Sequence, residues 1–473
     1  MSSEKIVFLQ LNELNFDYIE RYIEKGHLPN FHTLFAEHPY VRTISETEHH
    51  LANPWIQWPT VHTGLSYADH GVFRLGDIVS TDHELIYEAL EQRGISVAAF
   101  CAFNAKNNTS NPAFFVPDPW TSTRFDGAWS LKFIYDGMVQ VTDDYANGKI
   151  SGTAAMKLFL AALDTAKLSN IPTYLSLACD YFIRRNIWTR AIIADLLSVD
   201  AFITHWKRTR PDFATLFLNG GAHLQHHYLF SSAAYEGKRL NPEWHCPAGR
   251  DPVLEILETY DTSIRNLRRE LPDCRFMVAT GLHQDAHERE TYYFRIDDHV
   301  SFLKDIGLEY DKTYRLMTED FVIFFGDDQE AQSAQRKLEA VRTIEMDEIF
   351  YIETGDSAVR TDNTFDRIFH IENRGDSLYL QLRPTSKPIP KSAKVVCGNA
   401  IVEDFGTRVS FAQYKNTHHH GDGWFLDTGA TALPEPMPLT NIFGHILDAF
   451  EARSSQPPLS TPEPERGQYR TSA

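Results

Sequence analysis

The sequence predicts an α/β fold: a mostly parallel sheet with helices on both faces, plus a helical insertion and a small α+β insertion. Three observations predict it. Short apolar runs rich in branched residues alternate with helical stretches. Polar residues follow three of these runs at once, as they do where ligands bind beyond the carboxyl ends of parallel strands. The chain has 473 residues, 42% hydrophobic and 23% charged, enough for one large domain with insertions or for two or three ordinary domains.

Taken in order, Ile6–Leu11 reads as a buried strand, and Phe16–Lys25 as a helix stopped by Gly26 and Pro29. A helix over Glu84–Arg93 precedes a strand over Ile95–Phe100, and Phe213–Leu218 is a third strand. The helix Val253–Glu270 leads into a fourth, Arg275–Ala279. The residues just past these strands are Asn12 and Glu13, Asn219 through His227, and Thr280 through His287.

Residues 128–208 hold few strand signals and long helical stretches, including Ala154–Leu168 and Tyr181–Leu197, and read as a helical cap. Phe182–Trp206 mixes Arg with aromatics, the pattern of a helix that is part core and part solvated face; attachment to a membrane surface is the alternative. Residues 320–395 read as a small α+β unit built from the strand Phe321–Phe325, the helix Asp328–Val341 and the strands Ile349–Glu353 and Leu378–Leu382. Residues 1–127, 209–319 and 396–453 then form the α/β core. From Ser454 onward the Pro- and Ser-rich composition predicts a disordered tail, residues 454–473.

The charge of −19 argues against nucleic-acid binding, which needs a cationic footprint. Cys101, Cys179, Cys246, Cys274 and Cys397 show no CxxC spacing and suggest neither a disulfide framework nor a cysteine zinc site. The N-terminus lacks the marks of a signal peptide, and no apolar run is long enough to span a bilayer. The expected location is the cytoplasm.

Histidine is the unusual feature: 21 are present, with clusters at His223, His226 and His227, at His283 and His287, and at His418, His419 and His420. Imidazole is a common ligand for zinc and related ions. Arg74 and Asp77 make either an oxyanion clamp or a structural pair. Tryptophans in the Pro-rich stretches Pro54–Trp58 and Pro117–Trp120 suit core anchoring or stacking on a sugar or base. Gly220 and Gly221 are a weak phosphate-loop signal.

Several stretches together resemble the alkaline phosphatase superfamily, in particular its type I phosphodiesterases and nucleotide pyrophosphatases. They are Leu28–Leu34 (LPNFHTL), Trp58–Val72 (WPTVHTGLSYADHGV), Pro211–Tyr228, Tyr260 with Asp261, Ala279–Gln284 (ATGLHQ), His418–Gly429 (HHHGDGWFLDTG) and Leu439–Leu447. They occur in that family's order from residue 6 to residue 450. The resemblance implies two divalent metals around a phosphate or sulfate ester, with a hydroxyl nucleophile between them.

The departures are chemical. Where the family has ligand carboxylates, this chain has Asn12, Ala222 and Leu282, and the nucleophile position falls on Pro54, with Thr60 the nearby hydroxyl out of register. These neutral residues cannot offset two divalent ions. The expected site is therefore at most one ion, such as Zn²⁺, held by His226, His283 and His420, with His223 or Glu13 completing it and Asn12 in the first-strand ligand position. Thr60, Glu13 and Arg74 are the candidate catalytic groups. The expected function is a hydrolase or transferase for a phosphate or sulfate ester, of a small molecule, sugar or glycan-linked substrate. The alternative is a non-catalytic relative that binds a ligand or partner in the altered cleft. The sequence leaves the substrate, metal identity and oligomeric state open.

Overall fold

Every residue of the strands Val97–Ala102 and Phe213–Leu218 is buried, as are six of the seven in Lys5–Leu11. Successive side chains of a strand point to opposite faces, so both faces of this sheet are covered. This is a computed structural model, and it describes residues 5–46, 48, 51–143, 151–315, 320–344 and 367–454. The strand predicted at Ile349–Glu353 and the tail beyond Ser454 lie outside the described residues.

The central sheet runs, edge to edge, Met437–Pro438, Tyr40–Ile44, Gly423–Asp427, Cys274–Ala279, Lys5–Leu11, Phe213–Leu218, Val97–Ala102 and Phe114–Pro117. The last five are mutually parallel; Gly423–Asp427 is antiparallel to both its neighbours. All four strands expected from the sequence belong to it. The parallel arrangement puts the carboxyl ends of Lys5–Leu11, Phe213–Leu218 and Cys274–Ala279 side by side at one edge.

Residues 128–208 contain the helices Trp129–Asp143, Gly152–Thr165, Ile171–Phe182 and Thr189–Thr209. The single helix expected over Tyr181–Leu197 is interrupted. Arg185 takes a left-handed φ of 61°, which ends a right-handed helix, and the chain restarts at Thr189.

A second apolar core is built by antiparallel sheets around the helix Asp328–Glu339. One sheet orders Phe369–Asn373, Ser377–Leu382, Asp320–Phe324 and Lys312–Arg315; the other orders Arg342–Ile344, Lys394–Cys397 and Ala400–Val402. These sheets draw in strands from both sides of residues 320–395. Between the two cores runs a two-stranded antiparallel ribbon, His283–Ile296 against Val409–His420, which the sequence reading did not anticipate. Among the described residues no helix is long and apolar enough to cross a membrane.

Candidate metal centre

The site begins where the first strand ends. Asn12 N donates to Leu218 O (3.1 Å) and Glu13 N to Thr280 O (3.0 Å), so the turn is fastened to the ends of both neighbouring strands. Glu13 has a φ of 58°, a left-handed conformation that is unfavourable for any residue with a Cβ and is held here by those bonds. Gln225 Nε2 adds a third, to Glu13 O (2.9 Å). Asn12 Nδ2 donates to Glu13 Oε1 (2.9 Å) and Asn219 Oδ1 (2.8 Å), while its Oδ1 accepts from Trp58 Nε1 (2.7 Å). Trp58 is thus a buried anchor for the turn.

His226 comes from the helix Gly220–Tyr228, which starts directly after Phe213–Leu218. Its first turn is tightly seated. A Cβ on Gly220 would lie 2.6 Å from Asp195 Oδ2, and one on Gly221 would lie 2.6 Å from Leu14 Cδ2. Close packing explains the glycine pair, with no phosphate needed. The helix carries His226 Nε2 to 3.0 Å from Glu13 Oε2.

His419 comes from the ribbon, where register decides everything. His420 pairs with His283, His419 with Gln284 and His418 with Asp285. Opposed residues share a face and successive ones alternate. Gln284 and His419 therefore face inward, and His283, Asp285, His418 and His420 face the other way. His419 Nε2 lies 3.1 Å from Glu13 Oε2 and 3.1 Å from His226 Nε2. Among the described residues, Glu13, His226 and His419 form the one set of three such side chains with ligand atoms all within 4.8 Å of one another.

The surrounding bonds determine where the protons are. Gln284 Nε2 faces Glu13 Oε2 and Ala222 O (3.0 Å), two acceptors, so its amide orientation is fixed. Its Oε1 must then accept from Thr417 Oγ1 (2.7 Å), which spends that hydroxyl's proton. Thr417 Oγ1 in turn accepts from His226 Nδ1 (2.8 Å). His419 Nδ1 donates to Asn53 Oδ1 (3.2 Å). With both Nδ1 atoms protonated, each neutral imidazole turns an Nε2 lone pair toward the Glu13 carboxylate. Three lone-pair atoms at 3.0–3.1 Å from one another repel unless a cation stands among them. In the metal-free site burial disfavours the Glu13 carboxylate, but positive charge on His419 and hydrogen bonds donated by the two imidazoles outweigh it and hold its pKa well below the usual range, so a proton on the imidazoles and a metal ion compete for the same place. Burial pushes His226 down to about 3, which keeps it neutral. One carboxylate and two neutral imidazoles fit a single divalent ion of the zinc type, and the donor set carries too little charge for two.

The residues singled out from the sequence divide accordingly. Glu13 and His226 meet, and their third partner is His419, not His283 or His420. His283 donates from Nδ1 to Asp422 O (2.6 Å) and presents Nε2 to Asp285 Oδ2 (3.2 Å); the His420 ring packs against it with centroids 4.8 Å apart, and half of its side chain is exposed. His223 turns toward His227, with ring centroids 4.6 Å apart, because one helical residue is about 100° of rotation and three residues do not complete a turn. Asn12 has its oxygen engaged by Trp58 Nε1 and its Nδ2 on Glu13 Oε1, so in this arrangement it orients Glu13. Thr60 is buried, with Oγ1 bonded to Ile56 O (3.2 Å) and His70 Nε2 (3.1 Å). The Arg74 guanidinium pairs with Glu372, and the Asp77 carboxylate accepts from the Arg74 backbone N–H (2.9 Å), so among the described residues the Arg74–Asp77 ion pair does not form. Sequence reasoning did not select His419, Gln284 or Thr417. The signal available was the alternation along Thr417–His420, which places 417 and 419 on one face.

No protein-family model matches the chain, and no curated protein sequence matches it. Solved structures resemble it along nearly its whole length. A phosphonoacetate hydrolase from Sinorhizobium meliloti in complex with phosphonoformate is 14% identical, with a TM-score of 0.43, covering 95% of this chain and 96% of that one. Human ectonucleotide pyrophosphatase/phosphodiesterase 5 is 9% identical, with a TM-score of 0.43 and 95% of each chain covered. Wild-type alkaline phosphatase PafA is 11% identical, with a TM-score of 0.40, covering 95% of this chain and 96% of that one.

Proposed function

We propose that Glu13, His226 and His419 hold one divalent cation, and that the protein is a hydrolase or transferase acting on a phosphate or sulfate ester. The observation that carries this reading is the convergence of three lone-pair atoms whose partner nitrogens are already fixed by Thr417 and Asn53. The reaction class is supported by the order of motifs along the sequence and by the site's place beyond the strand ends. When bound, the ion would supply Lewis-acid stabilisation to an ester oxygen. The protein's own groups do the rest. The Glu13 side chain is 5% exposed, whereas His226 and His419 are 16% and 13% exposed, so the carboxylate is sealed behind and the imidazole edges face the approach. The ion's charge exceeds that of the one carboxylate, so the loaded site attracts an anion despite the acidic chain.

The second reading is a binding protein without turnover. It is favoured by the nucleophile region, where Asn53 and Pro54 offer no hydroxyl and Asn53 is engaged with His419. Metal analysis of the purified full chain, supplied with zinc or manganese, separates the two, together with assays on nitrophenyl phosphate, bis-nitrophenyl phosphate and nitrophenyl sulfate. Up to one equivalent of metal, and turnover lost in His419→Ala, supports the enzyme. Metal without turnover on any ester leaves the binding protein. No metal retained ends the one-ion reading.

A further inference from the structure

The helical insertion presents an apolar surface that the site does not use. Ten of the nineteen exposed large hydrophobics among the described residues fall between Met156 and Ile187. On the helix Gly152–Thr165, Met156, Phe159, Leu160 and Leu163 are exposed at spacings of three and four, which places them within an arc of about 100°. On Ile171–Phe182, Ile171, Leu175 and Phe182 are exposed within a still narrower arc. Both helices rest on Thr189–Thr209 by their other sides, so both apolar faces turn away from the body of the protein. The turn that follows carries Ile183, 75% exposed, and Ile187, 54% exposed, around Arg184 and Arg185. Single exposed apolar residues are ordinary; a contiguous run on adjoining elements marks an interaction surface.

Charge indicates the partner. Residues 151–190 hold five Lys or Arg against two Asp; Lys157, Lys167 and Arg184 have acidic partners at Asp136, Glu270 and Asp180, while the Arg184 and Arg185 side chains stay exposed in a chain of net −19. Phe182 and Ile183 lead directly into Arg184 and Arg185, with Arg190 beside the Tyr181 ring. Apolar and aromatic side chains set next to arginines suit the boundary of an anionic bilayer, where the apolar groups enter the acyl region and the guanidinium groups meet lipid phosphates.

We propose that the face formed by Gly152–Thr165, Ile171–Phe182 and the turn 183–188 docks the protein on anionic membrane surfaces. The bilayer is contacted and not crossed. The turn enters first, and the two helices lie flat behind it.

The test is flotation of the full-length protein with vesicles of phosphatidylcholine alone and with phosphatidylglycerol added. The wild type is expected to float with the anionic vesicles and to be released as salt rises. The pair Phe182→Ser/Ile183→Ser is expected to reduce partitioning roughly tenfold or more by removing inserted apolar area. The pair Arg184→Gln/Arg185→Gln is expected to lower it by about fivefold per residue on anionic vesicles only. All four positions are exposed, and circular dichroism verifies that the variants fold. Absence of flotation with anionic vesicles, or variants that float like the wild type, overturns the proposal. So does a lipid-free dimer that Phe182→Ser/Ile183→Ser dissociates, since a second copy would then be what covers this face.

Discussion

The two faces of the ribbon His283–Ile296/Val409–His420 are made of nearly the same residue types and do different things. On the inner face, His419 and Gln284 meet Glu13, and each imidazole at the site has one nitrogen committed to a neutral acceptor and the other free to converge. On the outer face, His283 has acceptors at both nitrogens, Asp422 O and the Asp285 carboxylate. The inner arrangement brings two imidazole Nε2 atoms and one carboxylate oxygen together; the outer one sets a single imidazole against its carboxylate. The difference lies in how many ligand atoms converge, and that number is set by register.

The largest effect expected is the contrast between adjacent residues. His419→Ala removes an inward ligand and should reduce metal affinity by more than the roughly 10–100-fold typical of losing an orienting partner. His420→Ala changes a half-exposed ring on the other face and should leave metal content and turnover unchanged. Isothermal titration with zinc on the chelator-stripped proteins measures both. Equal losses in the two variants would break the division into faces.

A smaller effect tests the proton arrangement. Thr417 is fully buried and links His226 Nδ1 to Gln284 Oε1. Thr417→Val keeps the shape and removes the hydroxyl, leaving a buried donor and a buried acceptor unmatched. Stability should fall by about 1–3 kcal/mol. Metal affinity should fall roughly 10–100-fold, because His226 loses the bond that fixes its tautomer. Urea denaturation and zinc titration read the two effects separately. Unchanged affinity would mean that Thr417 does not set the orientation of His226.

Much of the frame was legible because it rests on local signals. Buried parallel strands read as apolar runs, so Ile6–Leu11 and Phe213–Leu218 are visible, and so is the polar turn at Asn12 and Glu13 that follows. Glu13 and His226 could be named because both lie in the polar stretches that directly follow a strand, Asn12–Glu13 and Asn219–His227. His419 could not be separated from His418 and His420 by composition, since three consecutive histidines look alike until a pairing partner assigns them to faces. Thr60 could be named as the hydroxyl near the nucleophile position, but its bonds to the Ile56 carbonyl and the His70 ring could not be read from the chain. The break at Arg185 was hidden because helical periodicity continues on both sides of it.

The smallest effect concerns the outer face. Asp285 accepts from His283 through Oδ2 (3.2 Å) and from Asn15 Nδ2 through Oδ1 (3.2 Å). Its pKa is held below the usual carboxylate range, first by the hydrogen bond from His283, against burial, and then by the charges of His283, His418 and His420. A carboxylate with a depressed folded pKa contributes stability above its unfolded value near 3.8 and loses it as pH falls through the folded value. Its side chain is 43% exposed, so solvent screening limits the contribution to about 1 kcal/mol or less. Asp285→Asn should therefore lower the urea midpoint slightly at pH 7, and the gap from wild type should close as pH falls below the unfolded carboxylate value. Zinc affinity should not change. A stability loss well beyond that range, or a loss of metal, would mean that the outer pair helps to hold the ribbon in the register that places His419, and that the two faces act as one unit.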